Sequence, residues 1–245
     1  MLTVCNQEKW SEVVDINKLR KVVTPAQGPR HVPVNHGDVL EMFKHKLSER
    51  KLQIVSEQGL LSKEKLKYFY VVEIADNIMD DLNFNLGFIN FNDRSKAFTG
   101  LAGERVFACS NLQFSGETID VARRHTTNIM SDIVDKVDAI IKKFESFRET
   151  RREEITALKE TPFVDDNVAR CVLEMHRKSW MSNSDIGRVV QEWDKPSYDE
   201  FADRNAWSFN QAVTHVLKSA KNPIRLVEIS NQVKPIITRE AALIA

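Results

Sequence analysis

The stretch Tyr68-Phe-Tyr-Val-Val-Glu-Ile74, with Phe84-Asn-Leu-Gly-Phe-Ile-Asn-Phe91 and Asn92-Asp-Arg-Ser95 behind it, decides the fold. The first run is β-branched and aromatic, which suits a pleated, half-buried surface. In the second, Phe84, Leu86 and Phe88 alternate with Asn85 and Gly87, a period of two. Asn92 to Ser95 has the chemistry and length of a hairpin turn. The return strand carries Ala97-Phe-Thr-Gly100-Leu-Ala-Gly103 and then Val106-Phe-Ala-Cys-Ser-Asn111, where the glycines mark a bulge or a close backbone approach. Upstream, Leu52, Ile54 and Ser56 open a strand that Gly59 breaks. Every connection is short enough for antiparallel pairing, so the stretch reads as a three-stranded meander.

Helices flank it. Asp38 can cap a helix, with Glu41 completing a capping box, and Val39, Leu40, Phe43 and Leu47 then supply one buried face. Downstream, Ile119, Ala122, Thr126, Ile129, Ile133, Val137, Ile140, Phe144 and Phe147 step by three or four. That spacing predicts a helix over about 117–158, roughly 60 Å long, against a diameter of about 36 Å for a globule of this size. Such a helix kinks or projects to meet a partner. Its middle mixes Lys142, Lys143, Arg148, Arg151 and Arg152 with Glu145 and Glu149, the pattern of a solvated face.

Thr161-Pro162 stops that helix. The last third reads as three helical segments, one around Val168 to Met175, one capped by Ser182 or Ser184, and one after Pro196. Asn222-Pro223 opens an irregular tail, and Trp180, Trp193 and Trp207 suggest a core belonging to this third alone. Residues 1–33 read as a solvated arm, with Lys18, Arg20, Lys21 and Arg30 and no acid from 18 to 30. The expected fold class is therefore α+β. An arm (1–33) precedes an α-β-β-β-α core (34–160), and a helical C-terminal region (161–245) packs on that core.

Composition narrows the function. A chain of 245 residues makes one large domain or two small ones, and 42% hydrophobic residues supply a real core. Thirty-five basic residues against thirty-five acidic leave a net charge of zero, so bulk attraction does not coat nucleic acid with this protein. A local basic stripe stays open. No apolar run approaches a membrane span, and the first ten residues lack the basic and apolar regions of a signal peptide. Cys5, Cys109 and Cys171 are odd in number, widely spaced and without a C-x-x-C, as expected of free thiols in a reducing cytoplasm.

Catalytic signatures are missing from the sequence. It holds no P-loop, no G-x-S-x-G and no H-E-x-x-H, and no G-x-G-x-x-G follows a strand. His31, His36 and His45 lie close together, but two of them sit in a loop that fixes no metal geometry. His125 lacks a nucleophile or carboxylate at a recognisable spacing. Asp76, Asp80 and Asp81 with Glu73 are the residues a Mg²⁺-dependent nuclease would use, although such a cluster is ordinarily a solvated loop. No catalytic residue, metal or cofactor is predicted. Binding remains. Arg94 and Lys96 sit at the hairpin tip, Arg105 on the returning strand, and Arg123 and Arg124 at the start of the long helix. If sheet and helix pack, these groups flank one groove, with Phe88, Phe91, Phe98 or Phe107 available to stack on bases. For most of those phenylalanines the core is the favoured place.

Three segments carry a family resemblance: Arg30-His-Val-Pro-Val-Asn-His36; Leu86-Gly-Phe-Ile-Asn-Phe-Asn-Asp93 through Phe107-Ala-Cys-Ser-Asn111; and Glu192-Trp-Asp-Lys-Pro196 with Phe201-Ala-Asp-Arg-Asn-Ala-Trp-Ser208 and Ala212-Val-Thr-His-Val-Leu-Lys218. Over roughly residues 30 to 220 the chain resembles the phage/plasmid-like domain of unknown function numbered nine-three-two. That resemblance implies a phage or plasmid origin and brings no activity with it. The order helix, antiparallel strands, long helix is also similar to the core of phage and eukaryotic single-strand annealing recombinases, the lambda beta protein class. There the hairpin and long helix line a basic groove and the subunits form rings or filaments. The leading expectation is a non-enzymatic, cytoplasmic phage protein that forms homo-oligomers and binds single-stranded DNA in annealing or recombination. Its phosphate contacts would be Arg94, Lys96, Arg105, Arg123 and Arg124. The alternative is a phage interaction factor that inhibits or diverts a host defence or replication protein, and a metal-dependent nuclease comes third.

Overall fold

A computed structural model describes residues 10–75, 78, 82–106, 111–114, 122–125, 129–217 and 223–243. The elements are β1 (Trp10–Glu12), α1 (Ile16–Arg20), α2 (His36–Glu49), β2 (Ile54–Ser62), β3 (Lys67–Ile74), β4 (Leu82–Phe91), β5 (Phe98–Val106), β6 (Asn111–Phe114), β7 (Ala122–Arg123), α3 (Ile129–Glu160), α4 (Asp165–Arg177), α5 (Asn183–Asp194), α6 (Ala206–Leu217) and α7 (Pro223–Ala242). The strands form one antiparallel sheet in the order β1-β2-β3-β4-β5-β6, and β7 also pairs with β5. The α+β class holds, but the meander is wider than three strands.

The strand expected to open at Leu52, Ile54 and Ser56 is β2, but it runs straight through Gly59 instead of breaking there. A Cβ there would stand 2.2 Å from the Tyr68 hydroxyl and 2.4 Å from the Val13 carbonyl oxygen. The bare glycine lets Tyr68 donate to that carbonyl at 2.9 Å. The register slip of the sheet lies between Ile54 and Ser56, while β4 and β5 pair without interruption past Gly100 and Gly103. On β3 both faces are buried, so it reads as a continuous apolar run rather than an alternation. Tyr68, Tyr70, Val72 and Ile74 face the main core with Phe43 of α2 and the α3 stripe, while Phe69 and Val71 join Trp10, Leu60, Ile89, Phe91, Leu101 and Val227.

Several expectations need correction. Residues 10–33 are not a solvated arm: β1 pairs with Leu60–Ser62 and Leu19 is buried under α2. The cap of α2 is Asn35, whose Oδ1 accepts from Gly37 N–H at 2.8 Å. Asp38 and Glu41 are engaged instead by Arg20. The long helix starts at Ile129, because Ala122 and Arg123 are extended and pair with Thr99 and Phe98. Its 32 residues span about 48 Å and do not project: Ile155 and Leu158, near its end, are buried and α6 packs on it.

The C-terminal helices share the core. Phe163 and Phe209 stack and Trp193 meets both edge-on, at centroid distances of 5.6–6.5 Å, and the three belong to the same apolar cluster as α2 and α3. That continuity replaces the separate core expected from the tryptophans. Ser182 caps α5, its Oγ accepting from Asp185 N–H at 3.1 Å. The expected irregular tail is α7, with Pro223 at its first position, where proline's missing N–H costs nothing. Ile229, Val233, Ile236, Ile237 and Ala241 make its buried stripe. Among the described residues no helix is long and apolar enough to cross a membrane.

Candidate nucleic-acid interface

Antiparallel pairing brings the 63–66 turn, the 92–97 turn and β7 to one end of the sheet, because Lys67 pairs with Phe91 and Phe98 pairs with Arg123. The 25–35 loop closes over that end. Asn92 joins them. Its side-chain amide accepts from Val34 N–H and donates to Val34 C=O, both at 2.8 Å, so one side chain imitates a strand partner. Asn90 donates to the same carbonyl at 3.1 Å.

Three histidines complete the knot, and their partners fix their tautomers. Asn92 Oδ1 can only accept, so His125 Nδ1 carries the proton in their 3.1 Å contact. His31 Nδ1 accepts from Gln27 N–H at 3.0 Å, which leaves the proton on its Nε2. His36 donates from Nε2 to Lys65 C=O at 3.1 Å and accepts from Asn90 at Nδ1, 2.9 Å away. The His31 and His125 rings lie face to face, centroids 5.7 Å apart and planes 8° apart. Burial lowers all three basicities, to about 4 for His36 and His125. Neighbouring charge deepens the effect, from His31 and His36 on His125, and from Arg94 on His31. The rings are therefore neutral at pH 7.

Arginines surround the knot. Each segment places a buried polar group next to an exposed guanidinium: Arg30 beside His31, Arg124 beside His125, and Arg94 two residues beyond Asn92. Arg94 adopts a left-handed backbone (φ 68°) and donates to Gln27 C=O at 3.0 Å. Among the described residues no carboxylate pairs with Arg30, Arg94 or Arg124, and nearby Asp93 is engaged by Lys67 at 3.0 Å. Arg123 lies on β7 opposite Phe98, at this same end. Lys96 is on the turn, yet it is paired to Glu228 of α7 at 2.5 Å. Arg105 is in register with Asn83, seven residues along β5 from Phe98 and so roughly 23 Å away. Arg94, Arg123 and Arg124 thus come together; Arg105 does not join them.

The stacking surfaces considered in the sequence are not at hand. Phe88, Phe91 and Phe98 are buried, and Phe107 lies outside the described residues. Arg30, Asn90 and Asn92 were missed as members of this end. A local signal existed only for Arg30, in its acid-free basic segment.

Other chemistry finds little here. Among the described residues no group of His, Cys, Asp and Glu is arranged to hold a metal ion. The tautomers explain this for the histidines, since only His125 Nε2 keeps a free lone pair, while His45 lies apart on α2 beside Glu49. Glu73 is buried and accepts from Ser56 and Asn83 at 2.6 and 2.7 Å, and Asp76, Asp80 and Asp81 lie outside the described residues. Cys171 is buried and free, with burial pushing its thiol up to about 12, while Cys5 and Cys109 lie outside the described residues.

No curated protein and no solved structure matches the chain. A family profile matches residues 26–242, from the 25–35 loop through α7, and the chain belongs to the family described as Domain of unknown function (DUF932).

Proposed function

We propose that this protein is a phage-encoded, oligomeric single-stranded-DNA-binding protein that acts without catalysis, in strand annealing or recombination. The observation that carries the reading is the convergence of Arg30, Arg94 and Arg124, each exposed and free of carboxylates, on one sheet end that also holds Arg123. Guanidiniums so placed suit phosphate oxygens, which they meet in a rigid, bidentate fork. Net charge is zero, so the attraction is local and modest, and each neutralised phosphate adds about 0.7 to the salt slope for a single strand. Lys96 and Arg105 drop out of this set, the first through Glu228 and the second through distance. The order of α2, the antiparallel strands and α3 supports an annealing role by resemblance alone.

A gel shift with a labelled single-stranded oligonucleotide, with and without Mg²⁺, tests this. The expected result is a shift without cleavage that weakens as salt rises, from particles larger than a monomer. No shift at low salt would refute it.

A second reading, a phage factor that engages a host protein, rests on the cleft between α4 and α7. There Leu173 is exposed among charges of both signs, Arg177 and Lys178 beside the pairs of Arg170 with Glu240 and Arg239 with Glu174. An absent gel shift together with capture of a host protein that depends on Leu173 would favour it.

A further inference from the structure

Resting on the nucleic-acid reading, we infer that Asn92 is the positioning residue of the interface, a clamp that holds three chain segments so that Arg30, Arg94 and Arg124 present one charged rim. The contacts form a closed ring. Asn92 of the turn grips Val34 of the loop through two hydrogen bonds and accepts a third from the Nδ1–H of His125, beyond β7. His125 stacks on His31, His31 accepts from Gln27 N–H, and the Gln27 carbonyl accepts from Arg94, two residues past Asn92. A further backbone bond, Val32 N–H to His125 C=O at 3.3 Å, ties loop to β7 segment.

The ring depends on amide chemistry. The clamp donates to one backbone oxygen from Nδ2 and accepts from one backbone nitrogen and one ring nitrogen at Oδ1; a carboxylate lacks the donor, a methyl group lacks both, and a hydroxyl has only one atom to do what the amide does with two. Asn92 is fully buried, so it touches no nucleic acid, and its effect on binding passes through the arginines it places. Fixed charges bind cooperatively because their ordering entropy is lost before the ligand arrives. Without the clamp, the 25–35 loop and the segment after β7 lose their side-chain anchor on the 92–97 turn, and Arg30 and Arg124 lose their register with Arg94.

The test uses the full chain, fluorescein-labelled oligothymidylate and a salt series. Wild type sets the slope of log affinity against log salt. Asn92→Ala is expected to lower that slope by about 1.4, the value of two lost single-strand phosphate contacts. Arg30→Gln with Arg124→Gln should lower it equally in the wild type and no further in the Asn92→Ala background. A merely structural residue would give additive losses instead. His125→Asn keeps a donor at the Nδ1 position and should retain the wild-type slope, whereas His125→Phe keeps a stacking ring and should lose it; this pair decides the matter if Asn92→Ala fails to fold. Limited trypsin digestion gives a readout without DNA, with cleavage after Arg30 expected on the order of tenfold faster in Asn92→Ala. An unchanged slope, additive losses, or equal trypsin rates overturn the clamp. If wild type does not bind the oligonucleotide, the interface reading is the one that fails, and trypsin still decides whether Asn92 holds the segments together.

Discussion

Arg151 of α3 and Glu104 of β5 form an ion pair sealed from solvent, with both Nε and Nη2 donating to one carboxylate oxygen at 3.0 and 2.5 Å. Register explains the meeting. Glu104 pairs with Phe84, so it shares the sheet face against which α3 packs. Arg151 also donates to Glu154 at 2.7 Å, which Lys234 of α7 holds at 2.8 Å. The middle of α3, which the sequence presents as a solvated charged face, therefore contains a buried arginine that ties sheet, helix and C-terminal region together.

Removing Glu104 leaves Arg151 in the core with only the part-exposed Glu154, which Lys234 already shares, as counterion. Glu104→Gln is expected to destabilise by about 3–5 kcal/mol. The double replacement Glu104→Leu with Arg151→Met should recover most of that loss, because two apolar side chains need no hydration. Urea denaturation of the four proteins in a double-mutant cycle checks it; strictly additive losses would count against the pair.

Stability should fall on acidification between pH 6.5 and 4. Burial depresses His36 and His125 from 6.5 to about 4 in the folded state, so across this window the unfolded chain binds more protons. Unfolding free energy then rises with pH, by up to about 1.4 kcal/mol per histidine per pH unit. The stability is present above the unfolded value and lost as pH falls toward the folded one. The urea midpoint measured against pH should decline more gently in His36→Gln than in wild type. Parallel curves would mean that His36 is not neutral in the fold.

The C-terminal helices should unfold with the sheet. Phe209 lies in the cluster that also holds Phe43 and Phe144, so Phe209→Ala is expected to cost about 3–5 kcal/mol and to shift the whole transition. Tryptophan fluorescence reports chiefly on Trp180, Trp193 and Trp207, whereas far-ultraviolet circular dichroism reports on all elements. Their midpoints should coincide in both proteins. Separate midpoints would assign residues 161–245 a core of their own.

Single-strand affinity should respond unequally to the basic residues. Arg94→Glu and Arg124→Glu should each weaken binding and flatten the salt slope by at least about 0.7. Lys96→Gln should change little because Glu228 already neutralises that ammonium, and Arg105→Gln should change little because its strand position is remote. Fluorescence anisotropy at several salt concentrations separates these outcomes. Equal losses at all four positions would contradict the proposed rim.

The hairpin around Asn92 to Ser95, the strand cores of β3 and β4, the Ser182 cap and the buried stripe of α3 from Ile129 were legible in the sequence. Each is a local property, set by side chains within one turn or one pleat of each other. The spacing of Ile119, Ala122 and Thr126 fits that stripe equally well, yet Ala122 and Arg123 are extended because β5 offers them an unpaired edge at Phe98 and Thr99. Asp38 and Asn35 are both good caps, and Arg20, from the supposed arm, settled the choice by engaging Asp38.

The candidate site was legible only in part. Arg94, Arg123 and Arg124 were named from their charge, but no pattern joined them to Arg30 or to the buried polar ring beneath. Asn92 lies 58 residues from Val34 and 33 from His125, separations that no helical or strand period spans. The sequence by itself determined which segments coil, extend or turn, since those preferences act between near neighbours. Only the tertiary structure decided which polar groups meet, since that depends on long loops closing and on which buried donors and acceptors are left to be satisfied.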